Sequence, residues 1–112
     1  TVNENIFFWR KIFNSSIKDS QINSVLDLLM LNQYKNTPVS MLSYGEIKKL
    51  ELSRLVIERK KFWVMDEPYI GLDDSSVNIL NETINNHAKL GGMVIFSSHV
   101  KPDILNLENF DI

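Results

Sequence analysis

The chain has 112 residues, enough for one domain with a modest hydrophobic core. Its net charge of −2, with both signs interspersed and Arg59-Lys60-Lys61 as the one basic cluster, argues against nucleic-acid binding through a broad basic face. The absence of cysteine excludes disulfides and thiolate metal sites, and apolar runs such as residues 28–31 and 62–65 fall far short of the ~20 residues of a membrane-spanning helix.

Residues 1–13 predict a buried helix: Val2, Ile6, Trp9 and Phe13 form one helical stripe, and Phe7 and Phe8 widen it. After a polar break at 14–20, Ile22, Val25, Leu26 and Leu29 repeat at helical spacing as far as about Leu31. Residues 32–41, with Pro38 inside, read as a loop. Ser43 is the natural N-cap of a third helix, and Glu46 three positions on completes an S-x-x-E capping box. Ile47, Leu50, Leu52, Leu55 and Val56 supply its apolar side, and the helix is expected to end near Arg59. The basic cluster that follows reads as a solvated turn.

Residues 62–65, Phe-Trp-Val-Met, are all apolar, the pattern of a parallel-sheet strand covered on both faces. Asp74 or Ser75 is placed to cap the next helix, which carries Val77, Leu80 and Ile84 inward and stops at Gly91-Gly92. Residues 93–96 then form a second buried strand. Strand, crossover helix and strand make a βαβ unit, whose two parallel strands end on the same sheet edge. Asp66, Glu67 and His99 are therefore expected to converge. Beyond Lys101, residues 102–105 suggest a turn of helix and 109–112 a short edge strand.

A buried strand that delivers Asp66 and Glu67 at its end suits a nucleotide hydrolase, which needs a metal-anchoring acid beside a water-activating one. Each feature also has an ordinary structural explanation. An Asp-Glu pair commonly opens a turn, Ser43 and Glu46 alone are a cap, residues 71–74 are a turn and helix cap, and a lone histidine such as His87 is polar surface. Their order is what discriminates, with Leu42-Ser43-Tyr44-Gly45-Glu46 before the strand and Ser98-His99 after it.

In that order the motifs resemble the nucleotide-binding domain of ATP-binding cassette (ABC) ATPases. LSYGE is similar to the signature motif LSGGQ, FWVMDE to Walker B with its following glutamate, Gly71-Leu72-Asp73 to the D-loop, and His99 to the switch histidine. The resemblance implies an α/β fold, part of a P-loop NTPase, with a helical subdomain at residues 1–59 and the C-terminal part of a RecA-like core at 60–112. It implies ATP and Mg²⁺ as cofactors. Asp66 would hold the metal, Glu67 would polarise the attacking water and His99 would contact the γ-phosphate. Ser43, Tyr44, Gly45 and Glu46 would meet ATP held by the opposite subunit of a head-to-tail dimer, with Asp73 near that interface. A helix N-terminus suits this, since its free N–H groups and partial positive charge form an anion site that Gly45 leaves open to close approach.

Tyr44 replaces the signature's first glycine, and Glu46 replaces its glutamine, adding a negative charge beside a polyphosphate. A carboxylate engaged in the capping box would point back at the Ser43 amide instead. No G-x-x-x-x-G-K-[ST] loop is present, and no glycine precedes Gly45. The resemblance therefore implies a cassette whose Walker A and Q-loop lie before Thr1, and a chain inactive by itself.

Glu4, Asn5, Phe8 and Trp9 in the opening stretch, with Leu52-Ser53-Arg54-Leu55 and Phe62-Trp63, further resemble the haem-exporter ATP-binding subunits of cytochrome c maturation. That implies a subunit on the cytoplasmic face of the membrane, attached through separate transmembrane permease subunits, with no nucleic-acid partner. The alternatives are a non-transport ABC ATPase of DNA repair or translation, and a non-catalytic interaction module.

Overall fold

The computed structural model describes residues 1–99 together with Pro102 and Ile104. Three helices come first: α1 (Val2–Ile12), α2 (Asp19–Leu28) and α3 (Tyr44–Glu58). A βαβ unit follows, made of β1 (Phe62–Met65), α4 (Asp74–Lys89) and β2 (Met93–Phe96). The expected edge strand at 109–112 lies outside the described residues, as do Asp103 and Leu105 of the expected turn at 102–105.

Thr1 caps α1, its hydroxyl oxygen accepting the Glu4 amide at 3.2 Å. Val2 and Ile6 are fully buried, but the wide apolar arc read from the sequence is not. Phe7 and Phe8 are exposed, and the Arg10 guanidinium lies over the Phe7 ring at 4.7 Å. The helix rests on α3 through one narrow stripe, so aromatic residues outside that stripe face solvent.

Helix α2 starts earlier than the apolar repeat suggests and stops at Leu28, because Met30 turns into the left-handed region at φ 56°. The expected loop at 32–41 holds two single 3₁₀ turns, Asn32–Tyr34 and Val39–Met41. Helix α3 buries Leu50, Leu52 and Ile57 together with Ser53, whose hydroxyl donates to the Leu50 carbonyl. It ends on Arg59 in the left-handed conformation, φ 57°. Ser15 and Ser16 hold that end to the loop after α1: the Ser15 hydroxyl donates to the Ile57 carbonyl at 2.8 Å, and Arg59 donates to the Ser16 hydroxyl at 3.1 Å.

The strands pair in parallel, with Phe62 opposite Met93 and Met65 opposite Phe96. Trp63 is buried, whereas Phe62, Val64, Met93 and Ile95 are exposed. Cover on both faces, expected from the apolar run, is thus absent among the described residues. Side chains alternate across a strand, and α4 lies against one face only. A single cluster including Val2, Leu26, Leu50, Ile57, Trp63 and Leu80 runs from the helices into the βαβ unit. Each such fully buried aliphatic side chain contributes about 1.5–3 kcal/mol.

His87 is not simple polar surface. Its ring stacks on Trp63 with centroids 3.7 Å apart and planes within 6°, and its Nε2 lies 2.8 Å from the Lys61 carbonyl oxygen. Among the described residues no helix is long and apolar enough to cross a membrane.

Candidate functional site

The parallel register brings the two strand ends side by side. The Ser97 amide donates to the Met65 carbonyl at 3.2 Å, extending the ladder one step past β2, so residues after Met65 and after Phe96 leave the same edge together. There the Ser97 hydroxyl donates to Asp66 Oδ1 at 2.8 Å and accepts the Glu67 amide at 2.8 Å. His99 Nε2 stands 3.2 Å from Glu67 Oε1. Asp66, Glu67 and His99 thus meet although 32 residues separate Glu67 from His99 in the chain.

The backbone at Glu67 is unusual. Its φ is 45°, in the left-handed region that costs a side-chain-bearing residue roughly 1–2 kcal/mol. Such a conformation persists where surrounding contacts over-determine it. Here Ser97 takes the amide, the carbonyl accepts the Ile70 amide at 3.4 Å, and His99 stands at the carboxylate. The Glu67 side chain is 24% exposed against 86% for His99, so the carboxylate is sheltered and the imidazole reachable. The turn is anchored from below by Tyr69. It is buried, its hydroxyl donates to Asn81 Oδ1 on α4, and burial pushes its pKa up to about 12.

Among the described residues no cluster of three or more His, Asp or Glu is placed to hold a metal ion. Asp66 is nonetheless suited to Mg²⁺, which is held by one or two carboxylates and completes its shell with waters and phosphate oxygens. One carboxylate oxygen is oriented by Ser97, and the group lines an open cleft of about 310 Å³ between α3, β1 and α4. Lys48, Lys49 and Arg54 line the same cleft.

The second element of the site is the start of α3. The Ser43 hydroxyl oxygen accepts the Glu46 amide at 3.2 Å, and the Ser43 amide donates to Glu46 Oε1 at 3.0 Å. This reciprocal capping box turns the Glu46 carboxylate back onto the chain, and the Ser43 amide in particular holds its pKa below the ordinary carboxylate range. A β-carbon added at Gly45 would meet nothing within 4 Å, so packing within the described chain does not require glycine there. Tyr44 is 54% exposed, with Lys48 Nζ 5.5 Å from its ring centre.

Asp73 caps α4, one residue before the positions expected from the sequence. Its carboxylate accepts the Ser76 amide at 2.8 Å and the Ser75 hydroxyl at 3.1 Å. The hydrogen bonds from Ser76, with that from Ser75, hold its pKa below the usual value. Asp73 wins the capping position because its extended backbone, φ −74° and ψ 172°, points the carboxylate at the third amide on.

Sequence reasoning passed over Ser97. A hydroxyl immediately after an apolar strand is the signal it offers, and that signal acquires meaning only once the strand register places it beside Asp66.

The family model for the ABC transporter matches residues 1–70. The chain belongs to the ABC transporter family. It is 35% identical over 96 residues to the cytochrome c biogenesis ATP-binding export protein CcmA of Haemophilus ducreyi, covering 86% of this chain and 46% of that protein. The protein of the same name from Reclinomonas americana is 33% identical over 106 residues, covering 93% of this chain and 48% of its own length. The one from Pseudomonas aeruginosa is 33% identical over 96 residues, covering 86% and 47%. The chain therefore spans about half the length of these curated relatives. Among solved structures, MJ1267, an ATP-binding cassette of an ABC transporter, superposes with a TM-score of 0.59 at 21% identity, covering 77% of this chain and 35% of that one. Its ADP conformation gives 0.51 at 25% identity, covering 73% and 33%. The fold is thus part of a P-loop NTPase of the ABC type: helices followed by a short parallel sheet.

Proposed function

We propose that this chain is the C-terminal part of the ATP-hydrolysing subunit of an ABC transporter, with a helical subdomain at residues 1–59 and part of the ATPase core at 60–112. The observation that carries the reading is the meeting of Asp66, Glu67 and His99 at one sheet edge. Family membership gives that cluster its context.

In this reading Glu67 orients the attacking water and takes its proton as the water oxygen bonds to the γ-phosphorus and the bond from that phosphorus to the β–γ bridging oxygen breaks, the electron pair leaving with ADP. His99, exposed and already beside Glu67, would contact the same phosphoryl group. Asp66 would hold Mg²⁺, directly or through water, and the ion would supply positive charge to offset that of the phosphate oxygens. Ser43, Tyr44, Gly45 and the backbone before Glu46 present the α3 N-terminus to ATP held by a second subunit, with Asp73 close to the interface. A phosphate fits there because the helix end offers free amides, Gly45 is unobstructed and the Glu46 carboxylate is engaged in its box.

In this reading the nucleotide would be bound by a Walker A and a Q-loop that this chain does not itself supply. The similarity to cytochrome c biogenesis export proteins makes haem, or a haem-linked step of cytochrome c assembly, the first substrate to test. Separate transmembrane permease subunits would attach the ATPase to the cytoplasmic face of the membrane.

The deciding experiment is Glu67→Gln in the whole protein. Turnover should fall by roughly 10²- to 10⁴-fold, as on loss of a positioned base, while ATP binding persists and a nucleotide-bound dimer accumulates. Near-normal turnover in preparations free of contaminating ATPases would exclude Glu67 as the base.

A further inference from the structure

We propose that Ser97 is a positioning residue for both carboxylates of the site, setting the metal-facing orientation of Asp66 and the left-handed backbone of Glu67 with one hydroxyl. The proposal rests on the ATPase reading above and assigns a role in it to a residue outside the motifs named from the sequence.

The hydroxyl uses its proton and a lone pair in different directions. It donates to Asp66 Oδ1 at 2.8 Å and accepts from the Glu67 amide at 2.8 Å. Its own backbone is fixed independently, since the Ser97 amide continues the β1–β2 ladder to the Met65 carbonyl. The hydroxyl therefore projects from a rigid strand end, and the two groups it holds belong to a turn with an energetically costly φ. Engaging Oδ1 limits rotation of the Asp66 carboxylate and leaves the other oxygen for a metal or its water. Holding the amide keeps Glu67 from relaxing into an ordinary β or α conformation, which would swing its carboxylate away from His99.

Partners of this kind, one step removed from metal and substrate, typically contribute 10- to 100-fold in metal affinity or activity. Misplacing a reacting group by ~1 Å has a comparable effect on rate. Removing the hydroxyl should therefore lower kcat and weaken the metal while leaving KM for ATP nearly unchanged. A serine that only braced the sheet would change thermal stability without this split.

The test compares Ser97→Ala, Ser97→Thr and Ser97→Val in the whole protein. Threonine keeps the hydroxyl, and valine matches its shape without it, so the Thr/Val pair carries the comparison if the alanine variant does not fold. Two quantities are read: ATPase kcat and KM with Mg²⁺, and Mn²⁺ affinity by electron paramagnetic resonance in the ATP-loaded Glu67→Gln background, where turnover does not interfere. Alanine and valine should lower kcat and Mn²⁺ affinity each by about 10-fold or more, with threonine within about 3-fold of serine. Unchanged kcat and Mn²⁺ affinity in the valine variant, or threonine as impaired as valine, would overturn the role of Ser97 while a working parent protein kept the ATPase reading intact. A parent protein that neither hydrolyses ATP nor binds Mn²⁺-nucleotide would overturn the reading itself, and this role with it.

Discussion

The ring of Tyr44, at the first position of α3, lies over Gly71 in the turn after β1, so closely that a β-carbon on Gly71 would stand 2.5 Å from Tyr44 Cε1. The signature segment and the turn following the paired carboxylates are thus in contact within one chain. Tyr44 stands where the signature motif that this segment resembles has glycine. Gly71 also has φ 75°, which favours glycine on its own account. Gly71→Ala should destabilise the protein by about 1–2 kcal/mol in urea unfolding. Tyr44→Ala in the same chain should recover only a minor share, because the half-exposed ring can swing aside while the backbone cost remains. Full recovery would show that the ring contact dominates.

At the other end of the sheet, Gly92 is required by packing. A β-carbon there would fall 2.2 Å from His87 Nε2 and within 2.5 Å of two ring carbons. The ring cannot yield freely, since it stacks on buried Trp63 and meets the Lys61 carbonyl. Gly92→Ala should destabilise by about 1–3 kcal/mol, as overpacking does. Combined with His87→Ala the two effects should be markedly less than additive in a double-mutant cycle. Strict additivity would contradict the contact.

The capping box gives a pH dependence of known sign. Glu46 has its pKa lowered in the folded chain, chiefly by the Ser43 amide. A group of this kind adds stability that is fully present above its unfolded value of about 4.3 and is lost as pH falls through the lowered folded value. Unfolding curves at neutral pH and near pH 3 should therefore show a smaller acid loss for Glu46→Gln than for the parent. An equal acid loss would mean that the carboxylate is not engaged in solution.

Gly45→Asp separates the two proposed jobs of the α3 start. A β-carbon there would meet no atom of another part of the chain within 4 Å, and an acid in the first helical turn is favoured by the helix dipole. Replacing glycine in a helix also relieves a backbone entropy cost of roughly 0.5–1 kcal/mol. Thermal stability should therefore hold or rise slightly. ATP-driven dimerisation and hydrolysis of the whole protein should fall, because the new carboxylate opposes a phosphate. Undiminished hydrolysis would leave the segment as a helix cap alone.

Local signals made much of the chain legible. The Ser43–Glu46 box, the stop at Gly91, the β1 and β2 runs and the order of the motifs all depend on neighbours within a few residues, and these appear where the residue pattern puts them. Hydrophobic pattern alone misjudged exposure. Phe7, Phe8, Phe62 and Val64 are apolar yet exposed, because burial depends on which neighbour covers each face, and sequence periodicity does not contain that neighbour. The cap of α4 moved from the expected Asp74 or Ser75 to Asp73 for a related reason: three residues of cap-forming type stand in a row, and only backbone direction decides which side chain reaches the amide of Ser76. That Asp66, Glu67 and His99 share an edge follows from parallel strands, a rule that sequence can supply. That Ser97 joins the two carboxylates, that Glu67 is left-handed and that His87 lies flat on Trp63 follow from register and rotamer, which tertiary packing alone selects.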